Sequence, residues 1–213
     1  MAGRPREFDR NEALTRARDA FWKRGYESVS MSDLVSILGL ASSRIYAAFG
    51  SKEDLFREAV ELYRNTEGGA PVQALRAAPT AREGVEAMLR TAVITYTQPG
   101  RPRGCMVVTA AANCSSENDA VAKWLAECRR ERNRAILDRL SAAAADGEFA
   151  PDANVQALGD HFGSVMSGLS VQARDGLSRT RLLALIPAAI AALAPICQFR
   201  HGSEPDRAAG ILK

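Results

Sequence analysis

Between Ser30 and Tyr63 the chain runs SMSDLVSILGLASSRIYAAFGSKEDLFREAVELY, three short helical segments joined by turns of only a few residues. Ser30 with Asp33 three positions on is a helix start, because hydroxyl and carboxylate can satisfy backbone N–H groups at the helix mouth. Leu34, Ile37 and Leu38 recur at helical spacing, and Gly39 sits where the chain must turn. A second helix starts at Ser42 or Ser43 and carries Ile45 and Phe49 inward, leaving Arg44 and the serines in its exposed first turn. Gly50 stops that helix. Ser51 and Asp54 start the next, whose buried stripe is Leu55, Phe56, Val60 and Tyr63. The pattern is a helix-turn-helix with a supporting helix behind it, and the first turn of its second helix is the part that enters a DNA major groove.

Asp33-Leu34 through Gly39-Leu40, Ile45-Tyr46, Phe49 and Ser51-Lys52-Glu53 together resemble the amino-terminal domain of the TetR/AcrR family of transcriptional regulators, over about the first 65 residues. Downstream, Gly104-Cys105-Met106-Val107-Val108 and the segment from Gly168 to Gly176 are similar to carboxy-terminal segments of one branch of that family. The resemblance implies an all-α fold: a three-helix DNA-binding domain, then a helical effector-binding and dimerisation domain. We place the boundaries at 1–65 for the DNA-binding domain with its arm, 66–200 for the helical domain and 201–213 for a disordered tail.

Composition agrees with that class. Of 213 residues, 46% are hydrophobic and 25% charged, enough apolar material for a real core, and no sustained alternation of β-branched residues suggests a sheet. The net charge is only +3, but residues 1–24 hold the whole excess. Arg4, Arg6 and Arg10 taken alone read as a solvated terminus; beside a helix-turn-helix they read as an arm that follows the DNA backbone or minor groove. The run at 182–197 contains Pro187 and Pro195 and reads as a buried helix, not a membrane span. Cysteines 105, 114, 128 and 197 lack zinc or disulfide spacing, so a reducing cytoplasm is the simplest home.

Further helices are expected from about Asn11 to Gly25, Ser51 to Arg64, Thr80 to Thr97, Cys105 to Ala112, Ser116 or Asn118 to Ala145, Asp152 to Arg174 and Ser178 to Cys197. Glu67-Gly68-Gly69-Ala70-Pro71 reads as a breaker at the domain boundary. Gly159, Gly163, Ser164, Ser167, Gly168 and the alanines near 188–192 permit close helix approach in the last two helices. The residues alone leave an internal hairpin open; the resemblance implies a four-helix interface between two copies, and two-fold operators require two heads.

At the DNA end, Arg44 can pair bidentately with guanine O6 and N7, and Ser42 and Ser43 can add contacts to bases or phosphates. The resemblance places Tyr46 and Lys52 on phosphate oxygens, Lys52 beside a helix N-terminus; core packing stays open for Tyr46. This chain departs from the family pattern at Ala41, Ser42 and Ser43 and at Ala47 and Ala48, which leaves more of the phosphate contact to the arm, Tyr46 and Lys52. The partner is double-stranded, two-fold symmetric operator DNA.

At the other end, the resemblance implies a small-molecule pocket. Met88, Tyr96, Cys105, Met106, Trp124, Cys128, His161, Phe162 and Met166 are candidates for a largely apolar cavity, each with core packing as the competing role. Cys105 follows Arg101, Arg103 and Gly104, surroundings that lower a thiol pKa, and its segment resembles that of electrophile- or oxidant-sensing members; a buried inert thiol is the alternative. No phosphate loop, nucleophile elbow or paired metal-ligand motif is present in the sequence, which argues against an enzyme and calls for no cofactor or metal. A helical module that never touches DNA would leave the arm and Arg44 without a role. The expected protein is a homodimeric repressor released by a small molecule or, alternatively, by modification of Cys105.

Overall fold

The computed structural model describes residues 8–110 and 114–193, and these are helical throughout, with no strand among the described residues. Helix α1 (Arg10–Arg24) is capped by Asp9, whose carboxylate accepts from Asn11 and Glu12 N–H, and ends at Gly25. Gly25 has φ 83°, and a Cβ there would lie 3.2 Å from the Ala110 carbonyl, so the turn between head and body needs glycine twice over. Helices α2 (Met31–Leu38), α3 (Ser42–Phe49) and α4 (Lys52–Asn65) follow. Ser30/Asp33 and Ser51/Asp54 form complete capping boxes on α2 and α4, while α3, preceded by Ala41, has no side-chain cap.

The sequence pattern gave no helix between 67 and 79, yet α5 (Ala70–Ala77) is there. Pro71 stands in its first turn, where no N–H is needed, so a residue that reads as a breaker serves as a starter. Helix α6 (Ala81–Tyr96) opens with a Thr80/Glu83 capping box and packs on α5 at Gly84, where a Cβ would come within 2.6 Å of the Leu75 carbonyl. Helix α7 (Met106–Thr109) is shorter than the expected Cys105–Ala112 segment, whose last two residues lie outside the described residues. Helices α8 (Asp119–Ala145) and α9 (Val155–Arg174) form the long pair of the body. The single helix expected over 178–197 is instead α10 (Arg179–Ala184), α11 (Ile186–Ile190) and a 3-10 turn, Ala191–Leu193; Cys197 lies outside the described residues. Pro187 has no N–H to continue the helical ladder, and the chain breaks just ahead of it.

One core runs through head and body. Phe21 meets Phe56 edge-on at 5.1 Å, and Trp22 meets Tyr63 at 4.7 Å, each ring buried. Trp22 Nε1 also donates 3.0 Å to the Gly104 carbonyl, satisfying the indole where head meets body. Gly159 and Gly163 of α9 face Leu137 and Asn133 of α8, so these two small residues serve internal packing. Gly168 has no atom within 4 Å of its Cβ position, and Val171 (44% exposed) and Leu185 (48% exposed) are large apolar side chains left open on the last helices.

Candidate nucleic-acid interface and effector cavity

Helix α3 turns Ile45 and Phe49 into the core and leaves Ser42, Ser43 and Tyr46 exposed, Tyr46 by 49%. The exposure removes core packing as the role of Tyr46. Arg44 is half-buried, its Cζ 5.5 Å from the ring of Phe8, the first described residue. Phe8 therefore lies beside the first turn of α3. Arg4 and Arg6 lie outside the described residues.

Arg10, grouped with the arm in the sequence, belongs to α1 and seats the far end of α3. Its guanidinium donates to the Ala48 carbonyl at 3.2–3.3 Å, pairs with Glu58 at 2.8 Å and lies 4.5 Å over the Phe49 ring. A cation at a helix C-terminus meets unsatisfied carbonyls and the negative end of the helix dipole. Only the contact, not the spacing, reveals this role.

Lys52 is placed differently from Ser42 and Ser43. Its ammonium rests 4.3 Å over the Tyr26 ring, and burial lowers its pKa while Glu27 pulls it the other way. A phosphate contact by Lys52 would require the side chain to leave that ring. Glu27 itself is held by the Ser115 N–H (2.7 Å), the Asn118 amide (2.8 Å) and the Ser115 hydroxyl (2.8 Å), bonds that lower its pKa and tie the head to the loop before α8.

The nine residues named for an effector do not share one cavity. Met88, Tyr96, Met106, Phe162 and Met166 are buried in the core. Trp124 is half-buried between head and body, 6.3 Å from Phe56 and beneath the Arg57 guanidinium at 4.7 Å. His161 is exposed on α9, its ring 4.9 Å from Phe162. Cys105 and Cys128 do come together, in a cavity of about 330 Å³ bounded by α4, the turn after it, α5 and α8.

That cavity is lined by Tyr63, Arg64, Gly68, Gly69, Val107 and Arg132 among others, none of which sequence reasoning had singled out for it. Arg132 Nη1 is buried with no hydrogen-bond partner, and Tyr63 OH, buried beside Cys105 and the Met106 backbone, makes no hydrogen bond of good geometry with either. Burial first, then the nearby Cys105 and Tyr96, push the Tyr63 phenol well above its ordinary pKa, so it stays a donor. Burial also raises the Cys128 thiol, 3.6 Å from Arg64 Nη1, which itself pairs with Glu61 and Glu131. A larger open groove of about 1020 Å³ lies between α1 and residues 100–103. Most of its cations are already committed: Arg16 to Glu12, Arg24 to Asp33, Arg101 to Asp19 and Glu67, Arg103 to the carbonyls of Ala173 and Leu177. The smaller cavity is the chemically unfinished one.

A head that exposes the first turn of α3, on a body of paired long helices, defines a helix-turn-helix regulator, and the comparisons agree. Residues 13–59 match "Bacterial regulatory proteins, tetR family" and residues 81–193 match "Tetracyclin repressor-like, C-terminal domain". The chain belongs to the TetR family of bacterial regulatory proteins, which are not enzymes. It is 30% identical to the HTH-type transcriptional repressor ComR of Escherichia coli (strain K12) over 182 residues, 85% of this chain and 87% of that one. It is also 30% identical to the repressor BdcR of the same organism, over 86% of this chain and 88% of that one. Among solved structures, a cysteine-substituted CifR, a TetR family transcriptional regulator complexed with 26-bp double-stranded operator DNA, is 44% identical. The match has a TM-score of 0.85 and covers 89% of this chain and 99% of that chain. No helix of the described residues is long and apolar enough to cross a membrane.

Proposed function

We propose that the protein is a homodimeric repressor that binds a two-fold symmetric operator and leaves it when a small molecule occupies the body. The observation that carries this reading is the exposed first turn of α3, which carries Ser42, Ser43 and Arg44 and lies beside Phe8, the residue that follows the basic arm in the sequence. Arg44 reads a guanine, while the serines, Tyr46 and the arm residues Arg4 and Arg6 engage bases or backbone. Lys52 joins them only after leaving Tyr26. The operator complex of CifR and the repressor names of ComR and BdcR support the same role here.

Dimerisation through the last helices is supported by the outward Gly168, Val171 and Leu185, which the rest of the described residues leave uncovered. Helix α4 links the two ends: Lys52 opens it beside α3, and Tyr63 and Arg64 stand in its last turn at the cavity, about 17 Å further along the 14-residue helix. A ligand that favours a different seat for Tyr63 weakens operator binding by its differential affinity for the two states. Cys105 lines the same cavity, which favours a second trigger, covalent modification of its thiol by an oxidant or electrophile. Loss of the response in Cys105→Ser, with DNA affinity kept, separates that trigger from reversible binding.

The test is fluorescence-anisotropy titration against the DNA flanking the protein's own gene and against unrelated DNA, at several salt concentrations. The reading expects tight binding that falls steeply with salt. Arg44→Ala should lose about 1–3 kcal/mol of preference for the flanking DNA. Equal, salt-insensitive affinity for both DNAs, and no site recovered by selection from a random pool, would defeat it.

A further inference from the structure

The cavity between α4, α5 and α8 holds donors without acceptors. Arg132 sits on α8 with its guanidinium fixed from one side: Nη2 donates to Ser167 Oγ and Asn133 Oδ1, both at 3.1 Å, and Nε reaches Asn133 at 3.3 Å. Neither of those acceptors is charged. No carboxylate lies within ion-pair distance of Arg132 among the described residues, and its Nη1 is buried without a partner. Burial and the neighbouring Arg132 lower the pKa of Arg129, a sign that positive charge is crowded here. Tyr63, only 1% exposed, brings to the same lining a second donor that makes no hydrogen bond of good geometry, with Cys105 and the Met106 backbone as its polar neighbours.

Buried donors are rarely left open, because each forfeits the hydrogen bonds it had in water. An unpaired guanidinium forfeits more. The lining carries Arg64, Arg76 and Arg132 against Glu131 alone, and Glu131 is already taken by Arg64. The missing group is therefore an acceptor and an anion. A planar guanidinium matches a planar carboxylate, and a phenol can donate to the same group. The volume, near the lower end of small-molecule sites, suits a compact molecule. Gly68 and Gly69 complete the enclosure: a Cβ at Gly68 would collide with the Tyr63 ring, and one at Gly69 would come within 2.6 Å of the Arg64 carbonyl. The turn is thus closed down on the residue that supplies one donor.

We infer that this cavity binds a small monocarboxylate, held by Arg132 Nη1 and Tyr63 OH with its apolar part toward Val107 and Val72. The inference rests on the effector reading proposed above and names the chemical class of that effector.

The test uses the full chain with benzoate and hexanoate as probes, benzamide and hexanamide as neutral counterparts, and inorganic phosphate as the competing anion. Binding is read by calorimetry and by tryptophan fluorescence, to which Trp22, 4.7 Å from Tyr63, is well placed to respond. At least one carboxylate should bind about tenfold or more tightly than its amide, the equivalent of one charge-assisted hydrogen bond. Arg132→Gln should weaken the carboxylate by about as much and the amide less, while Tyr63→Phe should weaken both, since a phenol donates to an amide carbonyl as well as to a carboxylate. Should either variant fail to fold, the acid-to-amide ratio of the unaltered protein still decides. Equal binding of acid and amide, binding of phosphate in preference to both carboxylates, or no binding by either carboxylate overturns the inference. Carboxylate binding that leaves the DNA complex intact upholds the cavity assignment and overturns the effector reading alone. DNA release by acid and amide alike does the reverse.

Discussion

Gly104 shows how much one residue can carry. Its φ of 79° lies in the left-handed region, and a Cβ would fall 2.7 Å from the Ser170 carbonyl. Its own carbonyl accepts the Trp22 indole N–H, and the next N–H, of Cys105, donates 2.8 Å to the buried Ser170 hydroxyl. Backbone conformation, close approach and two buried hydrogen bonds therefore converge on one position. Gly104→Ala should cost about 3 kcal/mol or more, read as a lower denaturant midpoint. A midpoint unchanged within error would contradict this account of the junction. The sequence displayed Gly104 next to Cys105 and invited attention to the thiol. The glycine's role was not legible, because the carbonyl it must avoid is contributed by a residue 66 positions later.

Helices α2, α3 and α4 were legible because their signals are local: two capping boxes, a left-handed Gly39 and apolar residues at helical spacing. Helix α5 was not, because Gly68, Gly69 and Pro71 look alike as breakers whether they end a domain or wrap a turn around Tyr63. The exposed recognition turn was likewise readable from Ser42 to Tyr46, whereas the cavity was not. Its walls come from positions as far apart as Tyr63 and Ala135, and no spacing rule ties a phenol on α4 to a guanidinium on α8. The same limit hid Arg10, whose contacts with Ala48, Phe49 and Glu58 anchor α3 from outside its own segment. Arg10→Ala should loosen that anchor and speed amide hydrogen exchange over residues 42–49. DNA affinity should fall without a change in sequence preference, the opposite pattern to Arg44→Ala. Unchanged exchange in α3 would show that Arg10 is not what seats it.

Across the whole molecule, several contacts join head and body, among them Trp22 on Gly104, Glu27 on the 115–118 loop, and Arg64 on Glu131. The Glu27 junction is sensitive to pH. Hydrogen bonds from Ser115 N–H first, then the Asn118 amide and the Ser115 hydroxyl, hold the Glu27 carboxyl below its ordinary value of 4.5. Its contribution is therefore fully present above pH 4.5 and is lost as pH falls through the lowered folded-state value. Melting temperatures of the unaltered protein and Glu27→Gln should differ most near neutrality and converge on acidification. A difference that is constant with pH, or grows in acid, would mean that this junction gains nothing from the charge.

The central claim is that two copies of α3 read a symmetric DNA sequence through Arg44. Selection of binding sites from a random duplex pool, run in parallel with the unaltered protein and Arg44→Ala, tests it most directly. The account predicts an enriched inverted repeat whose half-sites are one helical turn or a multiple apart, with a guanine in each half that ceases to be selected by the variant. No enrichment, or the same sequence enriched by both proteins, would contradict it.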